Sequence, residues 1–420
     1  MGDLIKVEGG KHLTGSVRVE GAKNSALKLM AATIIASGRS TIQNVPDIAD
    51  VHVMAEVLEV LGAKIDKGDH ELTIDTSTLD SFTTPYELIH KMRASISMLG
   101  PLLTRFGRAC IALPGGCQIG SRKLDLHFSS LEALGVEFET EHGYINATTP
   151  DGLTGAFVTL EFPSVGATEN LMMASISADG HTTIDNAARE PEIVDLANML
   201  CEMGAHIEGQ GSPTIEIEGV KEFHPCTHRT VGDRIEAGTF LVADALGGGP
   251  VDVIGAQPAH LALAITKLQR MGCEVSSKGD VITVSRTGDL LPADIQTLPH
   301  PGFPTDLQAQ FMVACTIANG NSIITENVFE NRYAAAWELV RMGADIRIEM
   351  QHALVRGVPR LSGAPVESPD LRGGAALVLA GLVAEGETTV SNVHHIDRGY
   401  ENYVEKLRSL GASVARVPEE

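Results

Sequence analysis

Apolar segments of helical length alternate along the chain with short β-branched segments, and this order returns from one end of the sequence to the other. Apolar periodicity distinguishes buried helices, amphipathic helices and strands. We predict apolar helices at 24–36, 164–178 and 304–318, short strands at 40–44, 181–185, 321–325 and 387–391, and amphipathic helices at 51–61, 193–203 and 400–410. The sequence therefore predicts an α/β protein.

A phrase of the form Leu/Met-Gly-x-x-apolar recurs after the amphipathic segments. Its glycines are Gly62, Gly135, Gly204, Gly272, Gly343 and Gly411, at intervals of 73, 69, 68, 71 and 68 residues. This spacing is too regular for chance, and it exceeds the roughly 20 to 50 residues of a solenoid repeat. Each glycine suits the left-handed position that ends a helix. The chain is predicted to contain six α-β-α-β-β repeats.

The sixth repeat ends after the strand predicted at 413–417, before its second strand. A strand predicted at 4–7 matches the missing element, so we expect the two termini to pair. This pairing gives two α/β domains of three repeats each, with a boundary in polar sequence near residues 228–233. One domain comprises residues 22–231, and the other comprises residues 1–21 and 232–420.

Composition narrows the function classes. The chain has 420 residues, 43% of them hydrophobic, with 32 basic against 54 acidic residues and a net charge of -22. This charge argues against a general nucleic-acid or anionic-membrane binder. No secretory segment begins the sequence, so a cytoplasmic location is expected. The oligomeric state is not indicated.

The six cysteines contain no C-x-x-C pair, which makes a disulfide framework or structural zinc site an unfavoured interpretation. His224, Cys226 and His228 form an H-x-C-x-H group that could hold a metal. An exposed connection is the favoured interpretation there, because no fourth ligand of suitable spacing is nearby.

Charged residues recur at two kinds of loop in the repeats. Lys23, Arg93 and Arg372 lie where apolar helices begin, and helix starts favour phosphate and carboxylate groups. Arg122, Arg332 and Arg398 lie before amphipathic helices, at the same predicted end of each repeat. A cleft between the two domains would gather these cations around a multiply anionic ligand. A surface salt bridge or helix cap remains the alternative for any one of these arginines. For Lys23 and Asn24 the alternative is a solvated helix start with Asn24 as the cap.

The segment 113–122, Leu-Pro-Gly-Gly-Cys-Gln-Ile-Gly-Ser-Arg, replaces the short second loop of the other repeats. Its glycines match neither a Walker A loop nor a dinucleotide-binding motif, and suit a lid that closes over a ligand. Cys117 has no obvious core to pack into, and Arg122 nearby should lower its thiol pKa and raise its reactivity. The alternative is an idle exposed cysteine on a turn.

Several phrases, taken together, resemble the UDP-N-acetylglucosamine 1-carboxyvinyltransferase family of enolpyruvyl transferases over nearly the whole chain. They include Gly21-Ala-Lys-Asn24, Arg93-Ala-Ser95, Leu113-Pro-Gly-Gly-Cys117, Ser164-Val-Gly-Ala-Thr168, Phe303-Pro-Thr-Asp306 and His395-Ile-Asp-Arg-Gly-Tyr-Glu401. The resemblance implies two inside-out α/β domains with threefold pseudo-symmetry. It implies small-molecule substrates, phosphoenolpyruvate and UDP-N-acetylglucosamine, in the first committed step of peptidoglycan synthesis. No metal or organic cofactor is implied.

The resemblance also implies residue roles. Cys117 would donate a proton to the enolpyruvyl methylene and can form a covalent adduct, while Asp306 would be the base; Lys23 and Arg398 complete the catalytic set. Phosphoenolpyruvate would contact Lys23, Asn24, Arg122, Arg372 and Arg398. UDP-N-acetylglucosamine would contact Asn24, Arg93, Arg122, Lys123, Leu124, Asp125, Leu126, Ser164, Val165, Gly166, Asp306 and Val328.

Two positions depart from some relatives. Ser97 stands where those carry Trp, and Phe162 stands where others carry Lys, which leaves the nucleotide-sugar contacts open. The nearest alternative function is the sister 3-phosphoshikimate transferase, whose family lacks the cysteine lid. A non-catalytic nucleotide-sugar sensor is the alternative from another class, but such a protein would not need Cys117 or Asp306.

Overall fold

The computed structural model describes residues 2–89, 93–112 and 124–419. These residues divide into two compact units, which we name by their position in the chain. The N-terminal unit contains the described residues of 21–231, and the C-terminal unit contains residues 2–20 and 232–419. Within the described residues, the chain passes between the units after Glu20 and after Val231.

The first part of the chain supplies two strands to the C-terminal unit and then all elements of the N-terminal unit. A 3-10 turn, Arg93–Met98, precedes the fourth helix. The elements are β1 (Asp3–Glu8), β2 (Gly15–Arg18), α1 (Lys23–Ala32), β3 (Arg39–Gln43), α2 (Ala49–Val60), β4 (Lys64–Gly68), β5 (Glu71–Asp75), α3 (Tyr86–Ile89), α4 (Leu99–Phe106), β6 (Arg108–Ala112), α5 (Asp125–Glu132), β7 (Glu137–Glu141), β8 (Tyr144–Thr148), β9 (Phe157–Thr159), α6 (Val165–Ser175), β10 (His181–Asp185), α7 (Pro191–Glu202), β11 (His206–Glu208), β12 (Thr214–Glu218) and β13 (Thr227–Arg229).

The rest of the chain forms the C-terminal unit, with 3-10 turns at Pro258–Leu261, Thr305–Leu307 and Val393–Arg398. Its elements are α8 (Arg234–Gly247), β14 (Val251–Ile254), α9 (Ala262–Arg270), β15 (Glu274–Lys278), β16 (Val281–Ser285), β17 (Ile295–Gln296), α10 (Gln308–Thr316), β18 (Asn321–Thr325), α11 (Ala334–Arg341), β19 (Asp345–Glu349), β20 (His352–Arg356), β21 (Leu361–Ser362), β22 (Pro365–Glu367), α12 (Leu371–Val383), β23 (Ala384–Glu385), β24 (Glu387–Ser391), α13 (Tyr403–Ser409) and β25 (Ser413–Pro418).

The repeats share one sheet pattern. A short strand pairs in parallel with the strand after the core helix, and an antiparallel hairpin completes the sheet. The predicted α-β-α-β-β order is confirmed. In the second repeat only an isolated bridge, Thr83 with Cys110, precedes the core helix, whereas the other five core helices follow an additional short strand. These strands have only two to four residues, too few to give a periodic signal. The four-stranded sheets are β13-β3-β5-β4, β9-β10-β12-β11, β2-β14-β16-β15, β17-β18-β20-β19 and β22-β24-β1-β25.

The chain termini pair within the C-terminal unit, as predicted. β1 runs antiparallel to β25, from Asp3 opposite Pro418 to Glu8 opposite Ser413, and pairs with β24 on its other side. The strands at the two crossings are exchanged between repeats. β2 precedes α1 but pairs with β14, and β13 precedes α8 but pairs with β3. At each crossing, the chain leaves a strand in a sheet of one unit and continues into a core helix of the other unit.

Both units bury helices at their centres and place sheets outside. α8 is buried at every position from Arg234 to Leu246, and it packs with α10 and α12. A helix that is buried on all sides lies in a core, whereas the strands alternate buried and more exposed residues. In the N-terminal unit, α4 packs against α6 in the same way. This is the predicted inside-out α/β fold.

The six repeat glycines occupy the predicted conformation. Each follows an amphipathic helix and has a positive φ, between 89° and 105°. A side chain with a Cβ rarely adopts this conformation, so glycine is the residue that ends these helices at low cost. The predicted helix-ending role of these six glycines is therefore confirmed.

Candidate active site

Predicted site residues occupy the beginnings of the core helices. Lys23 is the first residue of α1, Ser164 caps α6 through its Oγ, which accepts from the Ala167 amide, and Asp306 lies in the 3-10 turn before α10. Arg372 is the second residue of α12, behind the Asp370 cap. The free N–H groups and positive dipole end at such positions favour anionic ligands.

Lys23 joins the two loops of the first repeat. Its Nζ lies 2.8 Å from Asp50 Oδ2, at the start of α2, and both residues are buried, with Lys23 8% and Asp50 3% exposed. The solvated helix start that we considered for Lys23 is therefore wrong. The cap position of α1 is Ala22, which has no side-chain hydrogen bond, so Asn24 is not the cap either.

Lys28, one turn after Asn24, binds a second buried acid. Its Nζ lies 2.6 Å from Glu169 Oε2, on α6. Burial raises the pKa of Glu169, while the charge of Lys28 acts in the opposite direction. This pair connects the second turns of α1 and α6, the helices that begin at Lys23 and behind the Ser164 cap.

Asn170 organises three segments predicted to hold the nucleotide sugar. Its Nδ2 donates to His127 Nδ1 on α5 and to the Ile96 carbonyl in the 3-10 turn, both at 3.0 Å. Its Oδ1 accepts from the Gly100 amide at 2.8 Å. The side chain is fully buried, so all of these hydrogen bonds are shielded from water.

His127 also fixes the distance between α5 and the start of α6. A methyl group at Gly166 would lie 3.0 Å from both Cε1 and Nε2 of the imidazole, so only glycine allows this approach without displacement. Burial, followed by the charge of Lys28, lowers the pKa of His127 to about 4, which keeps the ring neutral. Leu124, Asp125 and Leu126 are thus brought close to Ser164, Val165 and Gly166.

In the C-terminal unit, one acid lies between two arginines. Asp306 Oδ1 accepts from Arg332 Nη2 at 2.7 Å, and Oδ2 accepts from Arg372 Nη2 and Nε at 3.1 and 3.2 Å. The Asp306 side chain is 24% exposed, against 4% for each arginine. The carboxylate is therefore held in a fixed position with one side accessible.

Arg372 has one hydrogen-bonding group left over. Burial acts against its charge, but Tyr400 and Asp306 raise its pKa above the ordinary value. The guanidinium lies over the Tyr400 ring at 5.3 Å. Its Nη1 is buried and has no hydrogen-bond partner among the described residues, and such a donor costs stability unless another group satisfies it.

Two further predicted residues lie on loops of this unit. Val328 donates its amide to Glu326 Oε1 at 2.8 Å. Arg398 is half-buried at the end of the 3-10 turn Val393–Arg398. Its neighbour Asp397 accepts two hydrogen bonds from Arg416 at 2.7 and 2.8 Å, which ties the turn to β25.

Some predicted residues lie outside the described part of the chain. These are Cys117, Arg122 and Lys123, together with the side chain of Arg93. Of the two departures from the family pattern, Ser97 is buried and Phe162 is exposed. Asn170 and Glu326 were missed by the sequence analysis, although each contacts predicted site segments.

The H-x-C-x-H group does not act as a cluster. Both ring nitrogens of His228 contact carboxylates, Asp195 at 3.0 Å and Glu202 at 2.9 Å, and burial raises the pKa of Cys226 to about 11. The described residues contain no group of three or more His, Cys, Asp or Glu side chains arranged to hold a metal ion. In the same part of the chain, no helix has the length and apolar character needed to span a membrane.

Comparison with known proteins agrees with this architecture. The model of the EPSP synthase (3-phosphoshikimate 1-carboxyvinyltransferase) family matches residues 7–407. The structure of the enolpyruvyl transferase NikO from Streptomyces tendae covers the whole chain with a TM-score of 0.89 and 28% identity. An EPSP synthase from Acinetobacter baumannii shares the fold, with a TM-score of 0.77 and 17% identity over 99% of this chain and 100% of its own. The fold is that of an enolpyruvyl transferase.

Sequence relatives narrow the family. The UDP-N-acetylglucosamine 1-carboxyvinyltransferase of Desulfosudis oleivorans is 50% identical over 415 residues, which cover 99% of both chains. The UDP-N-acetylglucosamine 1-carboxyvinyltransferase 2 of Carboxydothermus hydrogenoformans is 51% identical over 98% of both chains. The chain belongs to the UDP-N-acetylglucosamine 1-carboxyvinyltransferase family.

Proposed function

We propose that this protein transfers the enolpyruvyl group of phosphoenolpyruvate to the 3-hydroxyl of UDP-N-acetylglucosamine with release of phosphate. This is the first committed step of peptidoglycan synthesis. The observation that carries the proposal is identity of about half over the full length of relatives named for this transfer. The buried, organised charge centre at Asp306 supports catalysis, since a sensor would need no such arrangement.

The reaction is an addition followed by an elimination. The sugar 3-hydroxyl oxygen bonds to C2 of phosphoenolpyruvate and loses its proton, while C3 gains a proton and becomes a methyl group. The resulting tetrahedral intermediate loses a C3 proton and breaks its bond to the phosphate oxygen, which restores the double bond. Fixed cations stabilise the charges that build up during these steps.

In the C-terminal unit, Asp306 is the proposed base for the sugar hydroxyl. Its contacts with Arg332 and Arg372 fix the carboxylate and leave one side accessible. The unpartnered Nη1 of Arg372 supports its proposed role on the substrate carboxylate. Arg398 is proposed to bind the phosphate, and Val328 the UDP-sugar.

In the N-terminal unit, Lys23 and Asn24 are proposed to bind phosphoenolpyruvate at the start of α1. The segments 124–126 and 164–166, held together by His127, are proposed to bind the UDP-sugar. Cys117 is proposed to protonate C3 and to form a covalent adduct with the substrate, and Arg122 to bind the phosphate. Arg93 and Lys123 complete the proposed UDP-sugar contacts. We also propose the cytoplasmic location predicted from the sequence, which cell fractionation would check.

The test is a comparison of two acceptors. Phosphate release from phosphoenolpyruvate is measured with UDP-N-acetylglucosamine and, separately, with shikimate 3-phosphate, the acceptor suggested by the name of the family model. We expect turnover with the nucleotide sugar and none above background with the shikimate ester. Turnover with shikimate 3-phosphate alone would refute the proposed acceptor.

A further inference from the structure

Glu326 breaks the repeat pattern at the turn that follows the second strand of each repeat. Four other repeats place a residue with positive φ at this turn, and Glu326 does not adopt that conformation. The left-handed residues are Asn44, Asn186, Gly255 and Asn392. Among the five repeats whose turn is described, only this one departs from the pattern, so the reason should lie in its contacts.

The Glu326 carboxylate accepts four hydrogen bonds. Oε1 accepts from Thr297 Oγ1 and the Val328 amide, both at 2.8 Å, and from the Phe329 amide at 3.2 Å. Oε2 accepts from Thr305 Oγ1 at 2.9 Å. The residue is 4% exposed, so these hydrogen bonds persist without competition from bulk water.

These contacts close a ring through the proposed base. The Phe329 carbonyl accepts from the Arg332 amide at 3.4 Å, and Arg332 Nη2 donates to Asp306 at 2.7 Å. Asp306 directly follows Thr305, whose hydroxyl returns to Glu326. One buried carboxylate therefore fixes both the turn that carries Asp306 and the loop that carries Val328 and Arg332.

We infer that Glu326 is a positioning residue of the transferase site, which sets the location of Asp306 relative to the loop 326–332. This inference rests on the proposed function of Asp306 as base and of Val328 as a sugar contact. Displacement of a catalytic group by about 1 Å can lower the rate about 100-fold. Glu326 would thus affect turnover without touching a substrate.

The inference predicts different kinetic effects for two variants, one at Thr305 and one at Glu326. Thr305→Val removes the hydroxyl that links Glu326 to the Asp306 turn but keeps the shape of the side chain. We expect kcat to fall about tenfold, the scale of one lost hydrogen bond, with both KM values unchanged. Glu326→Ala also releases the Val328 amide, so kcat should fall about 100-fold and KM for the acceptor should rise. Thr305→Ser and Glu326→Gln should restore most of the activity.

Asp244→Asn is the matched control, because Asp244 is a buried acid of the same unit that accepts from the Val251 amide, away from this ring. All variants are assayed with the acceptor that the wild type uses. A wrong proposed acceptor would already be evident from the wild-type assay, and so would not be mistaken for an effect of the substitutions. Wild-type kcat in Thr305→Val would overturn the inference, whether or not Glu326→Ala folds. The inference would also be overturned if Glu326→Ala lowered only the amount of folded enzyme and left both KM values equal to those of Asp244→Asn.

Discussion

The two units organise the beginnings of their core helices by different means. In the N-terminal unit each buried cation has its own acid, Lys23 with Asp50 and Lys28 with Glu169. In the C-terminal unit one acid, Asp306, serves two buried arginines, Arg332 and Arg372. The first arrangement gives each cation a carboxylate of its own, whereas in the second two guanidiniums share one carboxylate.

The side chains that connect the proposed binding segments also differ between the units. The N-terminal unit connects its proposed sugar-binding segments through the amide of Asn170 and the neutral ring of His127. The C-terminal unit connects its segments through the carboxylate of Glu326. Hydrogen bonds to a charged group are stronger than those between neutral groups, and their loss costs more. Variants in the C-terminal unit should therefore have the larger effects.

The largest expected effect is that of Cys117, the proposed proton donor, which belongs to neither of the two charge arrangements compared above. Cys117→Ala should abolish or severely reduce turnover while the protein remains folded, because no thiol would then protonate C3. The measurements are phosphate release and the circular dichroism spectrum. Cys226→Ala is the control, since burial raises the pKa of that thiol to about 11 and keeps it unreactive. Unchanged turnover in Cys117→Ala would refute its role.

The same cysteine should react selectively with a phosphonate epoxide such as fosfomycin, more readily when the UDP-sugar is bound. Burial raises the pKa of every other cysteine, which leaves each as a poorly nucleophilic thiol. Peptide mass mapping would locate the label. A label on Cys110 or Cys201, the described cysteines with smaller shifts, would count against this prediction.

The next effect tests the charge comparison directly. Asp306→Asn removes the proposed base and leaves two buried guanidiniums facing each other, so kcat should fall about 1000-fold. Asp50→Asn leaves a single cation, Lys23, without this acid and should reduce kcat by a smaller factor. Both are compared in the same phosphate-release assay. Equal losses in the two variants would contradict the distinction between the units.

A smaller effect tests how the N-terminal unit sets its geometry by neutral packing. Gly166→Ala would press a methyl group against His127, and should raise KM for UDP-N-acetylglucosamine several-fold while KM for phosphoenolpyruvate changes little. His127→Ala in the same chain should relieve part of that increase, because contacting residues couple. Gly288→Ala is the control, since a Cβ there would meet no atom within 4 Å. Additive effects of the two substitutions would argue against the contact.

The sequence was sufficient for the repeats, the terminal pairing and the residues at the helix beginnings, because these follow from local periodicity and helix-end chemistry. Asn170 could not be found this way, since its partners lie 43 to 74 residues away in other repeats. Glu326 carried a usable signal. Alignment of the repeats would have placed it opposite Asn44, Asn186 and Asn392, where a carboxylate is out of pattern.

The last effect is on stability rather than on activity: the pH dependence of stability should have opposite signs at two buried groups that are both neutral at pH 7. Burial lowers the pKa of His127 to about 4 in the N-terminal unit, and raises that of Asp244 to about 8 in the C-terminal unit. The contribution of His127 is complete above about pH 6.5 and is lost as the pH falls toward 4, because the unfolded chain binds the proton first. The contribution of Asp244 is complete below about pH 4 and is lost as the pH rises toward 8, because only the folded chain still holds the proton.

Melting temperatures between pH 4 and 8 would separate these two contributions. Asp244→Asn should be progressively more stable than the wild type as the pH rises, with a limiting slope of about 1.4 kcal/mol per pH unit. His127→Asn should lose less stability than the wild type between pH 6.5 and 4. Parallel pH curves for wild type and Asp244→Asn would mean that this acid is ionised in the folded protein. Asp244 would then be a buried charged group, in contrast to the neutral ring of His127 in the N-terminal unit.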